Sequence, residues 1–362
     1  MSRLTLVAHV DDLRGFGKLA VDATTGVTDL VQAMHGAIGG APARLLSAPV
    51  YASIRGITSL VGGTLDRALA HLAPLVGERT PSPEREAVLA ALNGVLGDYL
   101  AETNNPLAIE MRLRRAEGAP PKPKIVVFVH GSSMNSRAWK AARDLGHTAV
   151  HLDYNSGLHV STNGRTLDAL LETLIAEWPV PVEAIAIVAH SMGGLLARSA
   201  CYYADEAKHA WREKLRAIIF LGTPHHGAPL ERAGNWLETF LGVTRYSAPF
   251  ARMGKIRSAG VTDLRFGNVI DEHWQGGNRF DLAIDTRTPV PLPRGVDCYA
   301  IAADNDGLVP LASAMGEHPK PEWTLDFQPS RRFVVKGVGH IEMLRRSDVW
   351  GQIERWLRAS DT

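Results

Sequence analysis

Six short apolar segments restrict the fold of this 362-residue chain more than any other feature of its sequence. They begin at positions 125, 147, 184, 217, 296 and 331 and read IVVFVHG, HTAVHLDY, AIAIVAHS, AIIFLGTP, VDCYAIAAD and RRFVVKGVGH. Helical patterns lie between several of them, at 136–145, 163–178, 193–204 and 347–358. Strands that alternate with helices in this way predict βαβ units, and therefore a mostly parallel sheet with helices on both faces.

The first 105 residues carry a different, helical pattern. Apolar residues recur at helical spacing over 27–38 and 54–72. A third helix is predicted from the cap Ser82 to the NNP at 104–106. Its inward face is predicted to consist of Leu89, Leu92, Val95, Leu96 and Tyr99. Because a strand-like alternation, PLAIEMRLRRA, begins at 106, we predict a helical N-terminal region over 1–105 and an α/β domain over 106–362.

Residues 228–294 form an exception within the α/β pattern. This stretch is longer than an ordinary connection between two strands. It is also rich in aromatic residues, namely Trp236, Phe240, Tyr246, Phe250, Phe266, Trp274 and Phe280. We therefore predict a cap-like inserted segment, with padding of the core as the alternative to a functional role.

Composition argues against several classes of protein. The chain has 39 basic and 38 acidic side chains, so it has no excess charge with which to attract nucleic acid or an anionic membrane. The opening residues, MSRLTLVAHVDD, do not resemble a signal peptide, and no stretch approaches the roughly 20 apolar residues of a spanning helix. We therefore expect a cytoplasmic protein. Attachment to a membrane surface through the apolar helices at 26–76 stays open.

Neither a disulfide framework nor a metal site is indicated. The two cysteines, Cys201 and Cys298, are too few for such a framework, and we expect both to be free, buried thiols. A single disulfide between them is the alternative. The sequence has no clustered run of oxygen ligands that would suit calcium, so no metal is predicted.

The segment IAIVAHSMGG at 185–194 runs an apolar strand directly into a serine and two glycines. A strand that turns abruptly into a helix lifts the residue at the turn out of the sheet, which requires small residues two before and two after it. Ala189 and Gly193 meet that requirement around Ser191. The amide of Met192 then points toward negative charge that develops beside the hydroxyl. A serine that only caps the helix is the alternative.

A serine hydroxyl needs a base and an orienting carboxylate before it becomes an effective nucleophile. The candidates are His340, in VKGVGHIEML after the last apolar segment, and Asp306, in AIAADNDGLVP after the preceding one. Asp304 is the alternative carboxylate, but Gly307 favours Asp306 because glycine permits the turn. His190 is expected to point to the opposite side of the turn and to pack or hydrogen-bond rather than to act as the base.

A developing oxyanion needs a second donor, which we expect in the loop after an early strand, where VHGSSMN begins at 129. The amide of Ser132 is assigned to this role. His130 and Gly131 are expected to shape the turn. The loss of one such donor typically lowers turnover by about 10²- to 10³-fold, so the geometry of this loop matters.

The motifs FVHGSS, AHSMGG, LGTPHHGAP, DNDGLVP and GVGHIEML occur in this order. With them, residues 124–358 resemble the α/β-hydrolase lipases and carboxylesterases. The resemblance implies that Ser191 is the nucleophile, that Asp306 and His340 are its partners, and that the amides of Ser132 and Met192 form the oxyanion hole. Ala189 departs from the family, because most members have glycine at this position. His225 and His226, within LGTPHHGAP, are expected to shape a wall near the site.

The predicted activity is hydrolysis of carboxylic esters through an acyl-enzyme, without a cofactor. A small-molecule ester or a lipid would be the substrate, and the insertion at 228–294 would act as a lid or an acyl-binding wall. Thioesterases, acyltransferases and polyester depolymerases use the same set of residues and remain alternatives. A binding protein that has lost its catalysis is a further alternative, which the complete set of three residues disfavours.

Overall fold

The structure, a computed structural model, describes residues 11–12, 14–25, 52–56, 58–60, 63, 66, 83–115, 118–139, 145–228, 258–277, 285 and 287–360. The chain divides into two compact units, one comprising Met1–Ser82 with Leu100–Ala108 and the other comprising Pro83–Tyr99 with Ile109–Thr362. In the described part of the first unit, residues 14–25, 52–56 and 58–60 are helical. The apolar stripe at 27–38 lies outside the described residues, and the domain boundary at 105/106 stays a prediction.

The second unit is built on a sheet that has seven strands among the described residues. They are β1 (Arg112–Arg115), β2 (Lys124–Val129), β3 (Thr148–Asp153), β4 (Ala184–His190), β5 (Leu215–Leu221), β6 (Asp297–Ala303) and β7 (Arg332–Val335). Their spatial order is β1-β3-β2-β4-β5-β6-β7. The edge strand β1 pairs antiparallel with β3, and every other neighbouring pair is parallel. The predicted mostly parallel sheet is confirmed.

Seven α-helices are described with bounds. They are α1 (Pro83–Glu102), α2 (Val160–Glu177), α3 (Met192–Ala207), α4 (Trp211–Lys214), α5 (Ala259–Asp263), α6 (Leu311–Ala314) and α7 (Ser347–Ala359). The predicted helices at 163–178, 193–204 and 347–358 are confirmed within a few residues. At 136–145 the structure has only a 3₁₀ turn, Ser136–Trp139, while residues 140–144 lie outside the described part.

Apolar side chains fill both faces of the sheet. Along β2, Ile125 and Val127 belong to the core on the face covered by α2 and α3, whereas Val126 and Phe128 belong to the core on the opposite face. Trp350 of α7 packs on that second face, with its ring centroid 6.1 Å from that of Phe128. A strand buried on both sides has no polar face to display, which explains why the central segments are continuously apolar.

Helix α1 forms where the sequence predicts it but buries a different face. Leu92 and Val95 are buried as expected, whereas Leu89, Leu96 and Tyr99 are only partly buried. The closest packing involves small residues instead, namely Ala90, Ala91, Gly94 and Gly97. A Cβ on Gly94 would overlap the hydroxyl of Ser133, so the helix approaches the loop after β2 with no space for a side chain.

The described part of the 228–294 segment is tied to the α/β unit by polar contacts. The Asp263 carboxylate accepts a hydrogen bond from the Val160 amide at 2.8 Å. The Ala259 amide donates to Asp98 at 2.9 Å, and the Ser258 hydroxyl donates to the Gly94 carbonyl at 2.6 Å. Residues 229–257 and 278–284 lie outside the described part, so the lid role of this segment stays a prediction.

Candidate active site

Ser191 lies on the turn between β4 and α3 and has an unusual backbone conformation, with φ 53° and ψ −125°. A non-glycine residue in such a sparsely populated region costs about 1–3 kcal/mol, so the surrounding packing must impose it. The Ser191 amide donates to the Leu221 carbonyl at 2.8 Å, which ties the turn to the end of β5. The residue is buried, with 1% of its surface exposed.

The small residues around this turn are required by close backbone contacts. A Cβ on Gly193 would lie 2.5 Å from the His130 carbonyl oxygen and 2.6 Å from that of Val129. Ala189, the last but one residue of β4, is fully buried in the core. A larger residue at 193 would therefore push helix α3 away from the end of β2.

His340 and Asp306 form a buried pair. The His340 Nδ1–H group donates to Asp306 Oδ2 at 2.8 Å, and the His340 amide donates to the Asp306 carbonyl at 3.1 Å. The other carboxylate oxygen of Asp306 accepts the amides of Leu308 at 3.0 Å and Val309 at 2.7 Å. These bonds fix the carboxylate and, through it, orient the imidazole so that Nε2 is the atom left to accept a proton.

Asp304, the alternative carboxylate, takes a different position. It is exposed, and its Oδ1 accepts the Gly337 amide at 2.7 Å. Its role is to tie the turn after β6 to the turn after β7. The structure therefore places Asp306, and not Asp304, against the histidine.

The His340 ring lies among residues that also flank Ser191. A Cβ on Gly222 would be 3.1 Å from His340 Nδ1, and Gly222 directly follows Leu221, the acceptor of the Ser191 amide. His190, the neighbour of Ser191, donates from Nε2 to the His340 carbonyl at 3.1 Å, and the two rings have centroids 4.6 Å apart. The structure thus brings Ser191, His340 and Asp306 to one edge of the sheet.

His190 supports the loop that carries His340 through the bond from its Nε2 to the His340 carbonyl. Burial and then the neighbouring His340 hold the pKa of His190 well below its ordinary value. It therefore stays neutral and packs beside His340, and the expectation that it is not the base stays a prediction.

The loop after β2 lies against Ser191. A Cβ on Gly131 would be 3.0 Å from the Ser191 Cβ, so the loop and the turn are in direct contact. Ser132 and Met192 are both buried. Among the described residues, no protein acceptor is found for the amide of either one. Two such amides beside a serine hydroxyl suit an oxygen that becomes negatively charged.

His130, at the start of this loop, fixes the conformation of the loop through its side chain. Its Nδ1–H group donates to the Gly131 carbonyl at 2.8 Å, and its ring stacks on Tyr154 with centroids 4.4 Å apart. The Tyr154 hydroxyl in turn donates to the His130 carbonyl at 2.9 Å. Burial lowers the pKa of His130 to about 4, so the ring is neutral at physiological pH.

Sequence reasoning missed a second layer of support for the loop after β2. The Ser133 amide donates to the Ser156 hydroxyl at 2.9 Å, and Ser133 itself has φ 58°. Helix α1 presses on Ser133 through Gly94 and on Asn155 through Gly97. Two glycines three residues apart inside a predicted helix were the available signal, because glycine weakens a helix unless close packing requires it.

His225 and His226 lie on the loop after β5 and make contacts of their own. The His225 ring packs on Phe220, with centroids 4.9 Å apart, and lies beside Arg198. His226 donates from Nε2 to the Gly316 carbonyl at 3.1 Å. The expectation that they form a wall near the site stays a prediction.

Other sequence expectations concern the chain as a whole. Cys201 and Cys298 are free and buried, as predicted. Within the described ranges, no group of three or more His, Cys, Asp or Glu side chains is arranged to hold a metal ion. The described helices include none with the length and apolar character needed to cross a membrane.

Comparison with known proteins gives one family match, to the PGAP1-like alpha/beta domain over residues 153–278. No curated protein matches the sequence. The chain is similar to three solved structures. The mature lipase BlEst2 of Bacillus licheniformis is 17% identical, with 68% of this chain and 98% of that chain covered and a TM-score of 0.44. The type II thioesterase YbtT of yersiniabactin biosynthesis is 13% identical (70% of this chain, 100% of that chain, TM-score 0.46), and mouse alpha/beta hydrolase domain-containing protein 10 is 17% identical (69% of this chain, 94% of that chain, TM-score 0.40). The strand order, together with the family match, confirms the predicted α/β-hydrolase fold.

Proposed function

We propose that this protein is a serine hydrolase that cleaves carboxylic esters, with Ser191 as nucleophile, His340 as base and Asp306 as the group that orients the base. One observation carries the proposal. A serine held at φ 53° on a strand-to-helix turn shares its surroundings with an imidazole that donates to a buried carboxylate at 2.8 Å. Backbone strain of this size persists where the structure requires it, and functional sites are the commonest such places.

In the proposed reaction these three groups act in turn. Ser191 Oγ attacks the ester carbonyl carbon, and His340 Nε2 takes the hydroxyl proton while Nδ1–H keeps its bond to Asp306. The amides of Ser132 and Met192 donate to the carbonyl oxygen as it becomes negative. The bond to the leaving alcohol then breaks, and the alcohol receives the proton from His340. Water, deprotonated by His340, hydrolyses the acyl-enzyme and restores Ser191.

The proposed substrate is a small-molecule or lipid ester, and no step needs a cofactor. A thioester carbonyl would enter the same steps with a thiolate as the leaving group, which makes thioesters the second candidate substrate class.

The direct test uses p-nitrophenyl esters from acetate to palmitate, with acyl thioesters assayed in parallel. The native protein should hydrolyse at least one ester, and Ser191→Ala should lose about 10⁴- to 10⁶-fold in kcat. Ser199→Ala is the matched control, because Ser199 is also a buried serine, on the helix that begins at Met192. It should keep native activity.

Labelling by a fluorophosphonate gives an independent readout of the nucleophile. The native protein and Ser199→Ala should be labelled, and Ser191→Ala should not. An ester hydrolysis rate that is the same in Ser191→Ala as in the native protein would remove the basis of the proposal, and so would a folded native protein that neither turns over an ester nor reacts with the probe.

A further inference from the structure

A second polar site lies around a cavity of about 10 Å³ between helix α3 and the loop after β5. Its lining includes two arginines and three histidines, namely Arg198, Arg287, His225, His226 and His273. The volume corresponds to one particle about the size of a water molecule. Such a concentration of basic side chains around so small a space raises the question of what balances their charge.

Arg198 is the central residue of this cluster and is 5% exposed. Its Nη2 donates to the Val290 carbonyl, and its Nη1 lies 3.4 Å from His225 Nδ1. Its Nε is buried and has no hydrogen-bond partner. Among the described residues, no carboxylate lies within ion-pair distance of this guanidinium. Although burial lowers the pKa of Arg198 to about 10, the group keeps its charge at neutral pH.

Arg287 does not share this imbalance, because it has its own counter-charge. It pairs with Asp285 in a two-pronged contact, Nε to Oδ1 at 2.9 Å and Nη2 to Oδ2 at 2.9 Å. Its remaining nitrogen donates to the Gly267 carbonyl at 2.7 Å. The Arg287 and Asp285 pair is therefore neutral. Among the described residues, the net charge of the cavity lining is the single positive charge of Arg198.

The histidines add a donor and an acceptor but no charge. His225 Nδ1 faces the Arg198 donor, so the proton of this neutral ring is on Nε2, which is buried without a partner. His226 donates from Nε2 to a carbonyl, so its partnerless Nδ1 is an acceptor. Burial holds the pKa values of both rings below the ordinary histidine value. A water molecule would suit the His226 acceptor, whereas an anion would suit the two donors.

The magnitude of the charge effect decides between these occupants. A buried guanidinium without a counter-charge costs more free energy than one unsatisfied hydrogen-bond acceptor. A water molecule leaves that charge uncompensated, but an anion neutralises it. We propose that this cavity binds one monoatomic anion of halide size, with chloride as the natural occupant, held by Arg198 Nε and His225 Nε2. The cavity has room for about one particle of water size, which suits a monoatomic anion better than phosphate or a carboxylate, and the site is independent of the proposed hydrolase activity.

The solution test replaces chloride by gluconate, which is too large for the cavity, at constant ionic strength. Adding back chloride or bromide should raise the Tm of the native protein by a few degrees in a saturable manner, because a ligand that binds only the folded state stabilises it. In Arg198→Met the saturable response should disappear. Arg216→Gln, which removes an exposed arginine from β5, should respond like the native protein.

Two further measurements keep the test decisive if Arg198→Met does not fold. His225→Phe retains the packing against Phe220 but removes one donor, so it should need about tenfold more halide for the same rise in Tm. Crystals of the native protein soaked in bromide should show an anomalous peak between Arg198 and His225. An absent peak with no halide response in Tm would overturn the proposal, and so would a peak without a saturable solution response, which would indicate an adventitious ion only.

Discussion

Ser191 holds a backbone conformation that glycine adopts without strain and serine does not. Its φ of 53° is imposed by the contacts of the β4–α3 turn, above all the bond from its amide to Leu221. The strain serves the proposed chemistry, because the turn holds Ser191 against the loop after β2 and beside the Leu221–Gly222 segment that contacts His340. The free energy of unfolding should therefore rise when Ser191 is replaced by a residue that adopts this backbone conformation without strain.

We expect Ser191→Gly to be more stable than Ser191→Ala. Glycine relieves about 1–3 kcal/mol of backbone strain but loses about 0.5–1 kcal/mol through the greater freedom of its unfolded chain, so the net gain should be about 1 kcal/mol. Both variants remove the nucleophile and should be inactive. Urea unfolding of the two proteins measures the difference, and a glycine variant less stable than the alanine variant would contradict the strain argument.

Asp306 and Asp304 offer a matched pair for testing the orienting carboxylate. Asp306→Asn keeps the shape of the residue but removes the charge that holds His340 Nδ1–H, so kcat for a responsive ester should fall by about 10³- to 10⁴-fold. Asp304→Asn changes an exposed carboxylate two residues away, whose one described hydrogen bond is from the Gly337 amide. This variant should keep kcat within about twofold of the native value. Equal losses in the two variants would place the orienting role elsewhere.

Helix α1 acts on the candidate site as a structural element. It presses on the loop that carries Ser132 through Gly94, and it receives the 258–277 segment through the Gly94 carbonyl and Asp98. Neither role follows from the hydrophobic pattern, which predicted a leucine-rich inner face. The pattern fails because close backbone approach selects small residues, and they carry little hydrophobic signal.

Two glycine-to-alanine substitutions separate packing from helix propensity. Gly94→Ala should destabilise the protein and lower kcat, because its methyl group would displace Ser133 and with it the neighbouring amide of Ser132. Gly351→Ala lies inside α7, where an added Cβ meets nothing within 4 Å, and should stabilise the protein by up to about 1 kcal/mol without altering kcat. Thermal unfolding and ester kinetics on both variants make the comparison. Equal stabilisation by the two changes would show that α1 does not press on the loop.

At the scale of the whole molecule, most of the α/β architecture could be predicted from the sequence. The apolar segments gave the strands and their helices because parallel strands buried on both faces leave a continuous signal. The candidates Ser191, Asp306 and His340 could be selected because strand ends in such a sheet meet at one edge. The support that α1 gives to the site and the cluster around Arg198 could not be predicted from the sequence, because both depend on contacts between residues far apart in the chain.

The molecule also contains a group of histidines that are neutral when folded. Burial is the main cause that lowers the pKa of His130, His226 and His273 to about 4 and that of His190 and His225 well below the ordinary value. In the unfolded chain each titrates near 6.5. Between pH values of about 6.5 and about 4 the unfolded state therefore binds more protons than the folded state, which means that stability falls as pH falls through this range.

We expect the urea midpoint to decrease steeply across that window, because each such histidine adds a slope of about 1.4 kcal/mol per pH unit. His130→Phe should flatten the dependence by about one proton, since phenylalanine can keep the stacking on Tyr154 and does not titrate. His209→Asn should not flatten it, because the bond to Asp168 raises the pKa of His209 and gives that residue the opposite sign. A urea midpoint that stays constant between about pH 6.5 and about pH 4 in the native protein would show that these rings take up protons while folded. That result would contradict the conclusion that burial keeps His130 neutral next to the loop that carries Ser132.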